Sequence, residues 1–565
     1  MKLDFYKGAD ISGLPELEDR GAVIRTAEGQ EIDAFELCQL NGVNSIRLRI
    51  WNEPENVPES KGYCSLEHTV AMAKRIKAKG MHFLLDFHYS DWWADPGNQT
   101  KPHAWTDLHG EELEKAVYDY TTLVLIRLKE EGCMPDMVQV GNEIRSGMLF
   151  PDGEVPNFTQ LAGLVNAGIK AVREVDPSIE IMIHLDQGGR YYYLSQWFDG
   201  MIEAGLMDFD VIGLSYYAFW HGTFMDLKNS LMSMLEKYKK PLIIAETAHP
   251  WRRSEEGFVS AEQEKIAGFC AGIQEQKHVM KLLMNIVASL PDNMGQGVYY
   301  WEPLVIPYES GSSWDRNMGV LNEKGEVLPG FAEFQFERSQ AVPNEVAKYY
   351  VPEKIKMVEG QKDKLPESIQ VLYMDGSSCQ KKIVWAVIPD HVFYEVGIHP
   401  IMGKIADSDE TFITELEIVS EALAQENLVC NEDFSKGESD WMVIRKQEYI
   451  KTEILPEENA IYVSSEQNFD FTLAQEVMIP EAGDYQLFVS YLGTNTTDVK
   501  VKLYAEQVQS DKILRFEKVI HPTDEMWMEH EIESIEISQG ILRVGVEISS
   551  PPIWGKIRGM KLYRK

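Results

Sequence analysis

The stretch Val138-Gln139-Val140-Gly141-Asn142-Glu143 decides how this chain is read. A short β-type run stops abruptly on an amide and an acid, and polar side chains at the end of an apolar run mark the mouth of a parallel barrel. Comparable runs lie on both sides of it. They are Phe5 to Asp10, Ser45 to Trp51, His82 to His88, Met137 to Glu143 itself, Glu180 to Asp186, Asp210 to Tyr216, Pro241 to Glu246 and Gly297 to Glu302. Between them lie segments such as Ser65 to Lys79 and Glu111 to Glu131, with apolar residues at three-to-four spacing, Lys and Arg late in the segment, and Gly80 or Gly132 as a stop. Eight such alternations predict an α/β fold, a (β/α)8 TIM barrel over residues 1–340, rather than a doubly wound sheet.

The polar residues that end these runs are Asp10, Arg47 and Arg49, Asp86 and His88, Asn142-Glu143, His184 and Asp186, Tyr216-Tyr217, Glu246, and Trp301-Glu302. A closed barrel would bring them together at one face. The 565 residues exceed what one domain needs. A net charge of −36 opposes nucleic acid, anionic membrane surfaces and polyanionic substrates by long-range repulsion, so a neutral substrate is expected. The 13 Trp suit a sugar-binding groove, because one face of a pyranose is largely C–H, although most aromatic rings in a chain of this kind serve as core.

The cysteines, Cys38, Cys64, Cys133, Cys270, Cys379 and Cys430, show no CxxC spacing, so neither a zinc site nor a disulfide scaffold is expected. No apolar run is long enough to span a bilayer, so no membrane insertion is expected. From the opening Met-Lys-Leu-Asp-Phe-Tyr-Lys-Gly, which enters a strand-like run at once, no signal peptide is expected in the chain as written. The chain as written is expected in the cytoplasm, or outside the cell if a leader was removed.

Glu143 and Glu246 end the fourth and seventh runs. Two carboxyls facing each other across a barrel mouth can act as acid/base and nucleophile on a glycosidic bond. Cleavage needs a proton on the leaving oxygen and negative charge, or a covalent bond, at the anomeric carbon. Carboxyls about 5–5.5 Å apart would mean retention through a glycosyl-enzyme intermediate. Taken singly, either acid could instead sit in a salt bridge. Asn142 can offer its amide to the sugar 2-OH, a contact that strengthens as oxocarbenium character develops. Arg47 or Arg49 is expected to keep Glu246 ionised, while a more apolar setting raises Glu143 so that it holds a proton near neutral pH.

These strand ends resemble those of clan A glycoside hydrolases, and several segments resemble one family within it, the arabinogalactan endo-β-1,4-galactanases of glycoside hydrolase family 53. The segments are Tyr6-Lys7-Gly8-Ala9-Asp10-Ile11-Ser12, Ser45-Ile46-Arg47-Leu48-Arg49-Ile50-Trp51-Asn52-Glu53-Pro54, and Leu85-Asp86-Phe87-His88-Tyr89-Ser90-Asp91-Trp92-Trp93-Ala94-Asp95-Pro96. Further on come Val140-Gly141-Asn142-Glu143, Asp210-Val211-Ile212-Gly213-Leu214-Ser215-Tyr216-Tyr217, Ala245-Glu246-Thr247-Ala248 and Tyr300-Trp301-Glu302-Pro303. They run in order through residues 1–335.

The resemblance implies a retaining endo-hydrolase of β-1,4-galactan, the pectin side chain, or of derived galacto-oligosaccharides, with Glu143 as acid/base and Glu246 as nucleophile. It puts His88, Asn142, Tyr216 and Trp301 around the sugar whose bond is cut, and Asp91, Trp92 and Trp93 nearby in the third loop. Adjacent side chains on an extended loop diverge, so only one of the two tryptophans is expected as a sugar platform. The other strand-end residues, Asp10, Arg47, Arg49, His184, Asp186 and Tyr217, are expected to bind the same substrate, with Trp251 extending the groove. Several family members carry calcium in the loop after the seventh strand. Here that loop reads His249-Pro250-Trp251-Arg252-Arg253-Ser254-Glu255-Glu256-Gly257, with two arginines and no cluster of hard oxygen ligands, so no metal is expected there, and no cofactor.

After a connector from Ala341 to Tyr350, residues 350–420 are expected to form a small β-sandwich, with strands at Ser368 to Tyr373 and Lys382 to Val387 about a turn at Met374-Asp375-Gly376-Ser377. They resemble bacterial Ig-like spacer domains. Residues 423–565 alternate again, as in Tyr485 to Tyr491 and Ile541 to Glu547, and resemble a galactose-binding-type sandwich of the carbohydrate-binding modules. Arg558-Gly559 stands where such modules often carry two acids. Three other readings stay open: a hydrolase of another β-glycan such as mannan, a non-catalytic polysaccharide-binding protein, and a metal-dependent barrel hydrolase using His88, His184 and Asp186. The last lacks HxH spacing.

Overall fold

Eight parallel strands close into a barrel in the computed structural model. They are β1 (Tyr6–Asp10), β2 (Ser45–Ile50), β3 (His82–Phe87), β4 (Met137–Val140), β5 (Glu180–Leu185), β6 (Val211–Ser215), β7 (Leu242–Thr247) and β8 (Gly295–Trp301). The described residues are 3–254, 257–308, 312–362, 365–419, 427–447, 449–465, 467–494, 500–509, 512–523, 526–550 and 553–565. Each strand pairs with its neighbours in chain order, and β1 closes on β8 with Tyr6 opposite Gly297 and Asp10 opposite Trp301. The expected runs extend one to three residues beyond most of these strands, because their last polar residues leave the hydrogen-bond ladder and stand at the mouth.

The helices follow from local chemistry. The helix Leu66–Ala78 starts where the Ser65 hydroxyl accepts from His68 N, and it buries Val70, Met72, Ala73 and Ile76 on one face. Helix Gly110–Glu130 has Glu111 and Glu112 in its first turn and Arg127 and Lys129 in its last, which matches the helix dipole. Gly80 and Gly132, at φ 67° and 68°, end the two segments in the left-handed conformation.

The barrel interior changes character from bottom to top. Its lower part is an apolar cluster of Tyr6, Leu84, Met137, Met182, Val211, Ile243, Ala245 and Tyr299. The Tyr299 hydroxyl lies 2.7 Å from Ser45 Oγ, which lies 2.9 Å from His82 Nδ1. Above this cluster the inward side chains are charged or polar and fully buried: Asp10, Arg47, Asp86, Gln139, His184 and Ser215.

The chain divides into two compact units, Met1–Tyr349 with Val371–Cys379, and Tyr350–Gln370 with Gln380–Lys565. In the second unit, Thr411–Val419 pairs antiparallel with Gly397–Ile405 and parallel with Lys354–Val358, and Ile355, Met357, Phe393, Ile401, Leu416 and Ile418 share a small core. The same unit holds two five-stranded sheets, each with antiparallel neighbours, that enclose a larger core including Phe471, Leu473, Leu487, Leu503, Val544 and Leu562. The strand Gly483–Gly493 shows the alternation that builds it, with Tyr485, Leu487, Val489 and Tyr491 inward. Arg558 lies 4.0 Å from the Trp527 ring. The expected boundary near Leu423 lies outside the described residues. Among the described residues no helix is long and apolar enough to cross a membrane.

A Cβ on Gly297 would fall 2.3 Å from the backbone oxygen of Tyr6, at the seam where β1 meets β8. Gly297→Ala is therefore expected to lower stability by about 3 kcal/mol, the upper end of ordinary overpacking, because backbone rather than a side chain must move. Urea unfolding of the variant against the parent checks this.

Candidate active site

β4 ends at Val140, and the next three residues turn its end upward. Gly141 has φ 84°, and Glu143 takes the left-handed conformation at φ 49°, ψ 46°, unusual for a residue with a side chain. Neighbours hold this turn. Gln99 Nε2 donates to the Asn142 carbonyl at 2.8 Å, Asn142 Nδ2 donates to the Ala94 carbonyl at 2.8 Å, and Trp197 Nε1 donates to the Ile144 carbonyl at 2.9 Å.

Beneath the turn, Arg47 on β2 joins five strands. Its Nη1 donates to Asp10 Oδ2 at 2.8 Å, and its Nη2 donates to Asp86 Oδ2 at 2.8 Å and Asn142 Oδ1 at 2.9 Å. Nη2 also lies 2.8 Å from Glu246 Oε1, and Nε donates to Gln139 Oε1 at 3.2 Å. Gln139 in turn donates through Nε2 to Asp86 Oδ1 at 2.6 Å. His88 Nδ1 accepts from Ala94 N and Trp51 Nε1, so its Nε2 carries the proton and donates to Asp86 Oδ2 at 3.1 Å. Burial alone would push Asp86 up, but Arg47 and then His88 hold it below its ordinary value.

The two candidate catalytic carboxyls share this setting unequally. Glu246 has Arg47 beside one oxygen, and the Tyr217 hydroxyl donates to the other at 3.1 Å. Among the described residues Glu143 has no ion-pair partner. Burial pushes Glu143 well above its ordinary value, the charges of Glu246 and Asp186 push it further, and a hydrogen bond with the Ser215 side chain and Arg47 oppose this. Burial also pushes Glu246 up; Arg47 is the main opposing influence, while Asp86 and Asp10 add to the rise. Arg47 thus stands beside Glu246 as expected without returning it to the ordinary glutamate range. Burial likewise raises Tyr217, so it stays a hydroxyl donor.

Glu143 and Glu246 line one cleft of about 610 Å³. His88, Asn142, Asp186, Tyr217, Trp93 and Trp301 line it too. Its aromatic wall is continuous: Trp93 to Trp301 at 5.9 Å, Trp301 to Trp314 at 4.5 Å, Trp314 to Phe258 at 5.0 Å and Phe258 to Trp220 at 5.1 Å between ring centroids. Of the adjacent tryptophans, Trp93 lines the cleft and Trp92 packs on Trp51 at 4.5 Å.

Other expected substrate-binding residues stand away from the lining. Tyr216 is fully buried and its hydroxyl donates to the Gly222 carbonyl at 2.8 Å. Asp91 accepts from Glu53 N and His103 N, which ties its own loop to the one after β2. Asp10, Arg47 and His184 lie beneath the cleft floor, and His184 Nε2 is 2.9 Å from Ser215 Oγ. Arg49 pairs with Glu302 and lies 4.1 Å from the Trp93 ring, in an adjoining pocket of about 220 Å³. Trp251 is buried beside Arg252, 4.4 Å from its guanidinium, and does not reach the cleft. In the same loop Arg252 pairs with Glu323 and Arg253 with Glu264; Glu255 and Glu256 lie outside the described residues. Among the described residues no three His, Cys, Asp or Glu side chains gather as a metal site.

Sequence reasoning missed Arg145, Trp220, Phe258 and Trp314. Only Trp220 had a signal, the aromatic density of Tyr216-Tyr217-Ala218-Phe219-Trp220 after the sixth run.

Residues 6–334 match the profile of Glycosyl hydrolase family 53. A protein of Niallia circulans, described as an uncharacterized protein in the bgaB 5′ region, is 43% identical over 346 residues, covering 58% of this chain and 93% of that protein. The endo-β-1,4-galactanase of Bacillus subtilis (strain 168) is 34% identical over 327 residues, covering 56% of this chain and 74% of its own. Among solved structures, the family 53 catalytic domain of Ignisphaera aggregans superposes with a TM-score of 0.55 at 37% identity, covering 59% of this chain and 96% of that one.

Replacing Arg47 by Met leaves Asp10, Asp86 and Glu246 buried without their shared cation. The expected cost is about 3–5 kcal/mol of stability, the usual result of removing one partner from a buried ion pair. A denaturation curve with an unchanged midpoint would contradict it.

Proposed function

This chain belongs to glycosyl hydrolase family 53, and from that premise we propose that it hydrolyses internal β-1,4-galactosidic bonds of galactan, such as the side chains of pectin, with retention at the anomeric carbon. The observation that carries the reading is the unequal setting of two carboxyls in one cleft. Glu246 has a guanidinium and a phenol hydroxyl on its oxygens, whereas Glu143 is raised further by burial and by two neighbouring acids. The better-compensated carboxyl is the nucleophile, and the one that keeps its proton is the acid.

In the proposed sequence Glu143 gives its proton to the leaving glycosidic oxygen while Glu246 bonds to the anomeric carbon. Water then breaks that bond, with Glu143 acting as base. Asn142, fixed through Arg47 and Ala94, holds its amide for the sugar 2-OH. Trp301, at the end of β8, and Trp93 supply flat apolar faces for the C–H side of galactose units. The galactanase name borne by the Bacillus subtilis relative supports galactan over mannan as substrate.

Reducing ends released from galactan, mannan and cellulose test the substrate, and activity on mannan with none on galactan would overturn it. Glu143→Gln is expected to lower the rate by about 10²–10⁴-fold, the usual range for general acid–base catalysis. Glu246→Gln is expected to abolish activity, and wild-type rates in either variant would refute the assignment. NMR of the first product should show the β anomer. Because Glu246 is raised, the acid limb of kcat/KM should lie above the ordinary glutamate value of about 4.3.

A further inference from the structure

Arg145 lies two residues past Glu143, in the short 3-10 turn Ile144–Ser146. Its Nε donates to Asp186 Oδ1 at 2.7 Å, and both side chains line the cleft that holds Glu143. They come from the ends of adjacent strands, β4 and β5, so the pair stands beside the carboxyl assigned above as the acid. The Asp186 side chain is 5% exposed and that of Arg145 29%.

This arrangement addresses a conflict. A buried carboxylate next to an acid that must release a proton makes that acid hold its proton too tightly, or takes the proton itself. A guanidinium stays charged at any working pH and binds a carboxylate in fixed geometry. We propose that Arg145 is a positioning residue for Glu143, holding Asp186 as a carboxylate at the cleft wall and screening Glu143 from its charge. This rests on the acid/base reading of Glu143.

The other groups acting on Glu143 are Arg47 from β2, the Ser215 hydroxyl and Tyr217 from the end of β6, and Glu246 from β7. Burial pushes Asp186 up, Arg145 is the main opposing influence and a hydrogen bond with Gln187 adds to it, while His221 feels the charges of Arg190 and Arg145. Changes at Arg145 or Asp186 leave the hydrogen bonds of Glu246 intact, because those come from Arg47 and Tyr217.

The test is the pH profile of kcat/KM on a soluble galacto-oligosaccharide for Arg145→Gln, Arg145→Lys, Asp186→Asn and the Arg145→Gln/Asp186→Asn pair. Arg145→Gln should move the basic limb up by about one pH unit, as expected for uncovering a nearby like charge, and Arg145→Lys should restore it. Asp186→Asn should move it down, and adding Arg145→Gln to that variant should produce no further shift. A basic limb unmoved by Arg145→Gln, or moved equally with and without Asp186, overturns the proposal. If Arg145→Gln fails to fold, the opposite shift in Asp186→Asn and the unchanged limb in Arg145→Lys decide the matter. Glu143→Gln separates the two levels: a normal rate there removes the acid/base reading, whereas an inactive Glu143→Gln beside an unmoved Arg145→Gln limb removes only this inference.

Discussion

One guanidinium stands between three carboxyls that arrive on three different strands. Asp10 on β1, Asp86 on β3 and Glu246 on β7 all lie within 2.8 Å of Arg47 on β2, and all four side chains are buried. Charges buried at this depth are tolerated only when paired and hydrogen-bonded. The pairing with Glu246 requires the barrel to be closed, because β7 is not a neighbour of β2 and meets it only across the closed barrel. Gln139 and Asn142 satisfy further polar atoms of the same layer.

The compensation is incomplete, and that incompleteness matters for chemistry. Arg47 serves Asp10, Asp86 and Glu246, Arg49 serves Glu302, and among the described residues Glu143 has no cation of its own. An excess of acids in a desolvated layer makes some of them retain protons, and Glu143, Glu246 and Glu302 are all pushed up chiefly by burial. The apolar floor formed by Tyr6, Met137, Met182 and Tyr299 keeps this layer desolvated from below.

The barrel was legible because its signal is local. Each strand is a short apolar run, each is followed by a helical period, and the polar residue at the end of each run is visible in the chain. The expected runs overshoot because polarity marks the mouth, not the last ladder hydrogen bond; the fourth passes Val140 to reach Glu143. Tyr216 and Tyr217 illustrate the limit. They are neighbours at one strand end, yet Tyr216 turns inward to Gly222 while Tyr217 reaches Glu246. Trp314 sits in the five-residue helix Ser313–Asn317 and Phe258 on a loop, both too short of periodic pattern to reveal them, and only tertiary packing brings them to the wall with Trp301.

The sequence by itself determined the barrel, the order of its strands and the candidate carboxyls Glu143 and Glu246, because strand ends and apolar periods are properties of contiguous residues. Only the tertiary structure decided that Arg47 bridges Asp10, Asp86 and Glu246, that Trp93 rather than Trp92 faces the cleft, and that Arg145 meets Asp186. Each of these depends on distances between residues far apart in the chain and on rotation about a strand end. Neither has a local signature, because both are set by how the closed barrel excludes water from its charged layer.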